Sequence, residues 1–319
     1  MSRSTRLSRR EFATVVAGAA AAASVTPLAR ASESRQGTLT VGQVIDRIRE
    51  QIGVPWNAET VDTLKVGDPA SRVTGIVTTA LPTIAVLREA AASGANLIVT
   101  SQPTFYSRAD APTPPVGRGG GAGRRGGGPP PEPRPDAVYD AKNALLSTEG
   151  LAVFRLSDHW RLRRPDPFAA GLAEALGWTP GAAGGDAEFA RAEFAPVTLE
   201  ALARDAARRL GSRGGVRVIG DPATPLSSAA LLPGSIPIAT SVAALPDVDV
   251  IVAGEVREWE TTEYVRDVLH AGNRKGLVLL GRIVSEDPGM KVCADWLATL
   301  VEGIPVRHVA AGDPYWRPA

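Results

Sequence analysis

The strongest constraint on the fold is a short apolar run, residues 95–100, which lies between the chain breakers Gly94 and Pro103. A run of this length between such residues is typical of a buried strand. It ends abruptly in a polar segment that begins with Ser101 and Gln102. Open α/β sheets place their ligand sites in the loops that follow the strands. We therefore expect any chemistry of this protein to lie near Ser101.

An α/β pattern surrounds this run. A second apolar run, residues 73–80, predicts a preceding strand, and Pro82 is a typical first residue of the helix between the two. A strand, a helix and a strand in so short a span imply a right-handed crossover and a parallel pair. Nearer the N-terminus, Thr40 and Gln43 have the spacing of a capping box and predict the start of an amphipathic helix.

Three further predicted strands also end in polar clusters. Residues 151–156 precede Ser157-Asp158-His159-Trp160, residues 248–253 precede the turn 254–260, and residues 276–280 precede 281–287. A final helix is predicted for 288–301 and a closing strand for 306–309. Because a doubly wound sheet can gather such loops on one edge, we expect these clusters to lie near the segment that follows residue 100.

Residues 1–31 have the features of a twin-arginine signal peptide. The motif Ser8-Arg9-Arg10-Glu11-Phe12-Ala13 is followed by a weakly apolar stretch, residues 13–25, and by the small-x-small cleavage pattern of residues 29–31. The apolar stretch is too short to span a bilayer. We predict a periplasmic or secreted protein with no stable membrane anchor. The twin-arginine pathway carries folded proteins, so it permits a cofactor or an oligomer that is assembled before export.

A segment rich in glycine and proline, residues 107–136, interrupts the α/β pattern. Its composition cannot build a core and predicts a disordered surface loop. Arg118 and Arg125 each begin an Arg-Gly-Gly triplet of the kind found in RNA-binding repeats, but two copies in an exported chain favour a solvated linker.

Charge and cysteine content exclude several classes of protein. The formal net charge is +1, and the predicted signal peptide holds five arginines and one glutamate, so the rest of the chain is mildly acidic. Such a chain has no general attraction for nucleic acid or anionic membranes, and we predict no nucleic-acid partner. The single cysteine, Cys293, excludes an intrachain disulfide and a zinc site built from several cysteines.

Three segments of the chain resemble the Nif-three-like family of dinuclear-metal-centre hexameric proteins, also described as GTP cyclohydrolase I type II homologues. They are residues 95–106, Val73-Thr74-Gly75-Ile76-Val77 and Gly281-Arg282-Ile283-Val284-Ser285-Glu286. The resemblance covers most of residues 38–315. It implies an α/β fold with mixed sheets flanked by helices, a smaller α/β middle lobe and assembly into a homo-hexamer.

This resemblance suggests a division of the chain. After the signal peptide at 1–31, the N-terminal α/β part is expected at 38–106 and 137–180, the loop at 107–136, the middle lobe at 190–245, and a C-terminal α/β part that completes the family fold at 246–315.

The family's metal-binding motifs map onto positions that have mostly lost their ligands. A His-His pair maps to Ser101 and Gln102, a His-Thr-x-x-Asp stretch maps to His159 and Arg163, and a Gly-His-x-x-x-Glu stretch maps to Arg282 and Glu286. A longer branch of the family has Asp-His-Trp in the second motif. The resemblance to that branch implies that Asp158 supplies the carboxylate of this motif. The resemblance therefore implies that Ser101, Gln102, Arg163 and Arg282 are degenerate ligand positions.

Two metal ions held close together need several anionic or imidazole donors. Serine and glutamine are poor neutral replacements, and arginine stays protonated and cannot be a ligand. We predict either no metal or a single divalent ion (zinc, manganese or iron) held weakly by Asp158, His159 and Glu286. Because Arg282 and Glu286 are four residues apart, we hypothesise that the guanidinium replaces the charge of a metal ion. Glu255, in the turn after the predicted strand 248–253, is a further candidate.

Three functions are compatible with these residues. The first is a metal-assisted hydrolase that acts on a phosphoester or a related small molecule. The second is a non-catalytic oligomeric binding protein whose small-molecule ligand the sequence does not identify. The third is a metal-free enzyme that uses Arg282 and Glu286. The count of remaining ligands favours the second function over the first, and no catalytic residue is assigned.

Overall fold

The structure, a computed structural model, describes residues 39–114, 135–180 and 189–318. The predicted signal peptide and residues 115–134 of the predicted loop lie outside the described residues, so the structure leaves both predictions untested. The described part contains no helix that is both long enough and apolar enough to cross a membrane.

The described residues form helices and strands in an alternating order. The helices are α1 (Val41–Gln51), α2 (Ile84–Ala92), α3 (Ala137–Thr148), α4 (Asp158–Leu162), α5 (Pro167–Leu176), α6 (Leu199–Arg209), α7 (Ile238–Ala244), α8 (Glu263–His270) and α9 (Arg282–Leu300). The strands are β1 (Leu64–Val66), β2 (Ile76–Thr79), β3 (Leu97–Thr100), β4 (Ala152–Arg155), β5 (Thr179–Pro180), β6 (Ala190–Thr198), β7 (Arg217–Ile219), β8 (Pro225–Ile236), β9 (Val250–Val256), β10 (Gly276–Leu279) and β11 (Val306–His308).

Local sequence signals explain where several helices begin. The Thr40 side chain accepts a hydrogen bond from the Gln43 backbone, and the Gln43 side chain accepts one from the Thr40 backbone, so the predicted capping box is confirmed. The hydroxyls of Thr83 and Thr198 cap α2 and α6 in the same way. Each cap satisfies a backbone N–H that has no partner within its own helix.

The strands form two mixed sheets, which confirms the predicted α/β class. The first sheet has the order β1-β4-β3-β2-β11. Its neighbouring strands run parallel to each other, except for β1 and β4, which are antiparallel. The predicted parallel pair is confirmed as β2 and β3. The second sheet has the order β5-β6-β8-β9-β10-β7, with β8, β9 and β10 parallel at its centre.

The strand ends predicted to share one sheet edge belong to two different sheets. Strand β9 pairs with β8, so the expected boundary between residues 245 and 246 falls inside the second sheet. The segments after β3 and β4 therefore leave the first sheet, whereas those after β9 and β10 leave the second. Their approach to one another depends on helix α9, which packs against β2, β8, β9 and β11 and so contacts both sheets.

Helix α9 begins earlier than the sequence predicted. Residues 282–287 were expected to lie in a loop before a helix at Pro288, but they form the first turns of α9, with Pro288 inside the helix. Proline at an interior position removes one helical hydrogen bond, which usually ends or kinks a helix. Here the region is packed tightly against α5: a Cβ at Gly171 would lie 2.5 Å from the Pro288 carbonyl oxygen. This early start places Arg282 and Glu286 one turn apart on the same helix.

Candidate functional site

The carboxylate of Glu286 lies at the junction of the two sheets, and the residue is only 1 % exposed. Ser101 and Gln102 reach it from the end of β3, and both are buried. The Ser101 hydroxyl donates a hydrogen bond to Oε2 of Glu286 over 3.0 Å, and the Gln102 side-chain amide donates to the same oxygen over 2.6 Å. Ser101 and Gln102, two of the positions predicted to have lost a metal ligand, therefore donate hydrogen bonds to this carboxylate.

The second oxygen of Glu286 is bound by an arginine that the sequence analysis missed. Arg161 of α4 donates a hydrogen bond from Nη2 to Oε1 of Glu286 over 3.1 Å. Its Nη1 donates to the Pro233 carbonyl over 3.1 Å, and its guanidinium lies 4.4 Å from the centre of the Phe168 ring. Arg161 is two residues after His159, but no spacing in the sequence indicates that it faces Glu286.

Arg282 lies near the carboxylates of Glu255 and Glu286. Its Nη1 is 3.4 Å from Oε1 of Glu255, and its Nε is 3.8 Å from Oε1 of Glu286. Nε is buried and has no hydrogen-bond partner among the described residues, so this second contact is an ion pair without a hydrogen bond. We call Ser101, Gln102, Arg161, Arg282 and Glu286 the Glu286 cage.

A glycine of the second sheet packs directly against the cage. Gly234 in β8 has a φ of +98°, and a Cβ at this position would lie 2.7 Å from Oε1 of Glu286 and 2.9 Å from Nη2 of Arg161. The backbone N–H of Gly234 donates to the Ser285 hydroxyl over 3.0 Å. Only glycine fits here without moving the carboxylate or the guanidinium.

His159 is held in a separate cluster. Its Nε2 accepts a hydrogen bond from the Asn57 backbone N–H over 2.8 Å, which places the ring proton on Nδ1. Nδ1 then donates to Oδ2 of Asp62 over 2.7 Å. The ring also stacks on Trp56 with centroids 3.8 Å apart. Both nitrogens therefore have partners within the chain, and neither is available to bind a metal.

Asp158 also forms its hydrogen bonds within the chain, to the segment that precedes β1. Its Oδ2 accepts from the Thr60 hydroxyl over 2.9 Å and from the Val61 backbone N–H over 3.1 Å. The predicted ligand set of Asp158, His159 and Glu286 is therefore not brought together. Within residues 39–114, 135–180 and 189–318, no group of three or more histidine, cysteine, aspartate or glutamate side chains is placed to hold a metal ion.

Asp62 organises the cluster around His159 and was missed in the sequence analysis. It is fully buried, and its carboxylate accepts hydrogen bonds from the backbone N–H groups of Ser157, Asp158 and His159 as well as from the His159 ring. These N–H groups lie at the start of α4, where helix geometry leaves donors without partners. Asp62 thus fixes the helix that carries Arg161.

Arg163, which the resemblance maps to the family's aspartate, packs against two aromatic rings. Its guanidinium contacts the rings of both Trp160 and Trp296, 4.8 Å from the centre of each, and the two rings contact each other with their centres 5.1 Å apart. Burial lowers the pKa of this guanidinium. The stack joins α4 to α9, which is a structural role.

Two aspartates beside the cage, Asp166 half-buried and Asp287 buried, have pKa values that burial raises. Burial raises the pKa of Asp166, although the nearby guanidinium of Arg161 acts in the opposite direction. Burial also raises the pKa of Asp287 to about 6, although its carboxylate accepts hydrogen bonds from the backbone N–H groups of Ala80 and Ala311. A carboxylate as buried as Glu286 therefore needs the partners that it has.

The residues present do not fit a dinuclear metal centre. One oxygen of Glu286 accepts two hydrogen bonds, and the other faces two guanidinium groups. These fixed positive charges would repel a divalent cation, and none of the four surrounding side chains supplies an anionic or imidazole donor. The cage is a neutralised carboxylate rather than an open coordination site.

Comparison with known proteins finds similarity in structure but not in sequence. No family model matches the chain, and no curated protein matches it. The structure resembles that of the Staphylococcus aureus protein SA1388, with a TM-score of 0.61 and 17 % identity over 88 % of this chain and 100 % of that chain. It also resembles a Bacillus cereus protein related to NIF3, with a TM-score of 0.62 and 13 % identity over 88 % of this chain and 100 % of that chain.

A third solved structure, that of protein ybgI, of unknown function, has a TM-score of 0.60 and 19 % identity over 87 % of this chain and 100 % of that chain. Sequence identities this low, together with the structural similarity, support a shared fold but not a shared activity. The chain therefore has the fold of the NIF3-like proteins, and these structural neighbours support the family resemblance predicted from its motifs.

Proposed function

We propose that this protein is an exported, non-catalytic binding scaffold of the NIF3-like fold, in which two arginines supply the positive charge that metal ions supply in the family. The observation that carries the proposal is the Glu286 cage: both oxygens of the carboxylate are bound by the protein itself. The homo-oligomer implied by the family resemblance is part of the proposal.

The geometry gives less support to a metal-dependent hydrolase. Such an enzyme needs a metal with an open position for water or substrate. Of the three ligands predicted for a single ion, Asp158 and His159 are bound to the segment 57–62, and Glu286 is enclosed by arginines. A hydrolase would require all three side chains to leave these partners.

Metal analysis tests the proposal directly. We expect the protein, purified without chelator, to contain well under one equivalent of zinc, manganese or iron. We also expect chelator to leave its melting temperature unchanged, because a metal that binds only the native state stabilises it by mass action. Both quantities can be measured on one preparation by elemental analysis and thermal unfolding. Stoichiometric metal together with a chelator-sensitive melting temperature would overturn the proposal.

Export is the second testable part of the proposal. Lysine at both Arg9 and Arg10 keeps the charge of the signal peptide but removes the twin-arginine motif. We expect this variant to remain in the cytoplasm, whereas the unmodified chain reaches the periplasm or the medium. Cell fractionation followed by immunoblotting would detect the difference. Lysine at Arg3 and Arg6 is the matched control, since it changes two arginines outside the motif. Normal export of the Arg9 and Arg10 variant would refute the assignment.

A further inference from the structure

The three large apolar residues most exposed to solvent, among all that the structure describes, lie around one edge strand. They are Trp259, Tyr315 and Trp316, which are 74, 71 and 70 % exposed. The strand is β7, at the edge of the second sheet. Val218, in the middle of β7, is a further exposed apolar residue. Exposed apolar residues that cluster in this way mark interaction surfaces. We call these four residues the β7 patch.

Two sets of contacts bring the aromatic residues to β7. Arg217 of β7 forms an ion pair with Glu258, which is the neighbour of Trp259 in the chain. Segment 315–317 lies along segment 214–216, which leads directly into β7. Its arginine donates hydrogen bonds to the carbonyls of the first and last residues of 214–216, over 2.6 and 2.7 Å. The aromatic residues therefore flank the edge strand from two separate parts of the chain.

The backbone of β7 presents one residue to the open edge. In a short antiparallel ladder, hydrogen-bonded and non-hydrogen-bonded pairs alternate. Val218 could form the hydrogen-bonded pair with β10 only if residues 216 and 220 also bonded to that side, and the described structure contains no such backbone bonds. Arg217 and Ile219 are therefore the residues bonded to β10. The N–H and C=O groups of Val218 point away from the sheet.

A single outward residue suits a two-fold symmetric contact. In a hydrogen-bonded antiparallel pair, two residues exchange both of their N–H···O bonds. Val218 of one copy can therefore pair with Val218 of a second copy. A longer foreign strand would fit this edge less well, because Arg317 already covers the carbonyls of segment 214–216.

The charged groups of the surrounding surface also favour a second copy. Arg217 is paired with Glu258, and Asp313 and Arg317 both bind the loop that precedes β7. The surface thus carries both signs of charge. A partner with one strong sign of charge would be repelled by part of it, whereas two copies related by a two-fold axis can place opposite charges against each other.

The exposed aromatic area is large enough to make a substantial part of a dimer interface. A buried aromatic side chain removes about 150–250 Å² from water. Three that are about 70 % exposed therefore offer roughly 400 Å² per copy. This is about half of the roughly 800 Å² per partner that a stable interface buries. Tryptophan, tyrosine and arginine are also the residues enriched at such interfaces.

We infer that the β7 patch is a two-fold interface at which a second copy of this chain binds. The two β7 strands pair at Val218, and Trp259, Tyr315 and Trp316 of each copy become buried around them. The inference rests on the homo-oligomer in the proposed function and supplies its contact surface.

The test measures the mass of the purified protein in solution by light scattering and analytical ultracentrifugation. A two-fold interface joins chains in pairs, so we expect an even multiple of the chain mass. Val218→Pro removes the outward N–H from both copies and leaves the bonds to β10 in place. We expect association at least tenfold weaker and an assembly of half the mass or less. Trp316→Ser removes an exposed aromatic side chain from each copy and should weaken association about a hundredfold.

Val138→Ser is the matched control, because Val138 is also an exposed apolar residue, 48 % exposed, but lies on α3 against the first sheet. It should leave the mass unchanged, and thermal unfolding should show that all three variants are folded. An odd multiple of the chain mass would overturn the inference. An oligomer that neither Val218→Pro nor Trp316→Ser weakens would overturn this interface but leave the proposed scaffold standing. A monomeric unmodified protein would refute both the interface and the oligomer of the proposed function.

Discussion

Replacing Glu286 by alanine is expected to destabilise the folded protein by about 3 kcal/mol, the lower end of the range for breaking a buried ion pair. The variant leaves Arg161 and Arg282 without their shared carboxylate, and it removes the acceptor for Ser101 and Gln102. We choose the lower end because the arginine side chains are 37 and 38 % exposed and water can solvate them partly. Urea unfolding measures the loss.

Glu258→Ala is the matched control for this experiment. Glu258 also pairs with an arginine, Arg217, but its side chain is 65 % exposed, so we expect a loss below about 1 kcal/mol. Equal losses in the two variants would show that the Glu286 cage contributes no more than a surface ion pair. A metal centre would give another pattern: adding chelator to the unmodified protein would then reproduce part of the loss caused by Glu286→Ala.

The family resemblance singled out Ser101, Gln102, Arg282 and Glu286, because they stand at the positions of the family's metal ligands. The apolar run before Ser101 also indicated that Ser101 and Gln102 follow a strand, whereas residues 282–287 were predicted to be a loop and form the start of α9. Arg161 could not be found in this way. Its contact with Glu286 spans 125 positions in the sequence and depends on how α4 packs against α9. No local pattern encodes such a contact.

The same distinction explains which parts of the fold were predictable. Capping residues and apolar periodicity act within a few positions, so the start of α1 after Thr40 was predicted correctly and the start predicted at Pro82 lies two residues before that of α2. Strand pairing joins distant segments. The sequence gives no indication that β9 pairs with β8 rather than extending the first sheet, and the four polar strand ends were therefore placed on one edge instead of two.

Asp62 could not be predicted as a structural residue either, because a single aspartate in the sequence has no pattern that indicates its partners. In the structure it is fully buried and accepts hydrogen bonds from three backbone N–H groups and from the His159 ring. Asp62→Ala would leave these four donors buried without an acceptor. Each unsatisfied buried donor costs about 1–3 kcal/mol, although water that enters the space left by the carboxylate recovers part of this. We therefore expect a loss of about 4 kcal/mol, which is in the range of severe single substitutions.

Asp68→Ala provides the comparison for Asp62→Ala. Among the described residues, the exposed carboxylate of Asp68 accepts a single hydrogen bond, from the Ala70 backbone, so its removal should cost less than about 1 kcal/mol. Urea unfolding gives both losses, and tryptophan fluorescence gives a second readout, because Trp56 stacks on the ring that Asp62 orients. We expect the folded Asp62→Ala protein to show altered Trp56 emission, whereas Asp68→Ala should match the unmodified chain. A loss as small as that of Asp68→Ala, with unchanged emission, would mean that the start of α4 and the His159 ring keep their positions without this carboxylate.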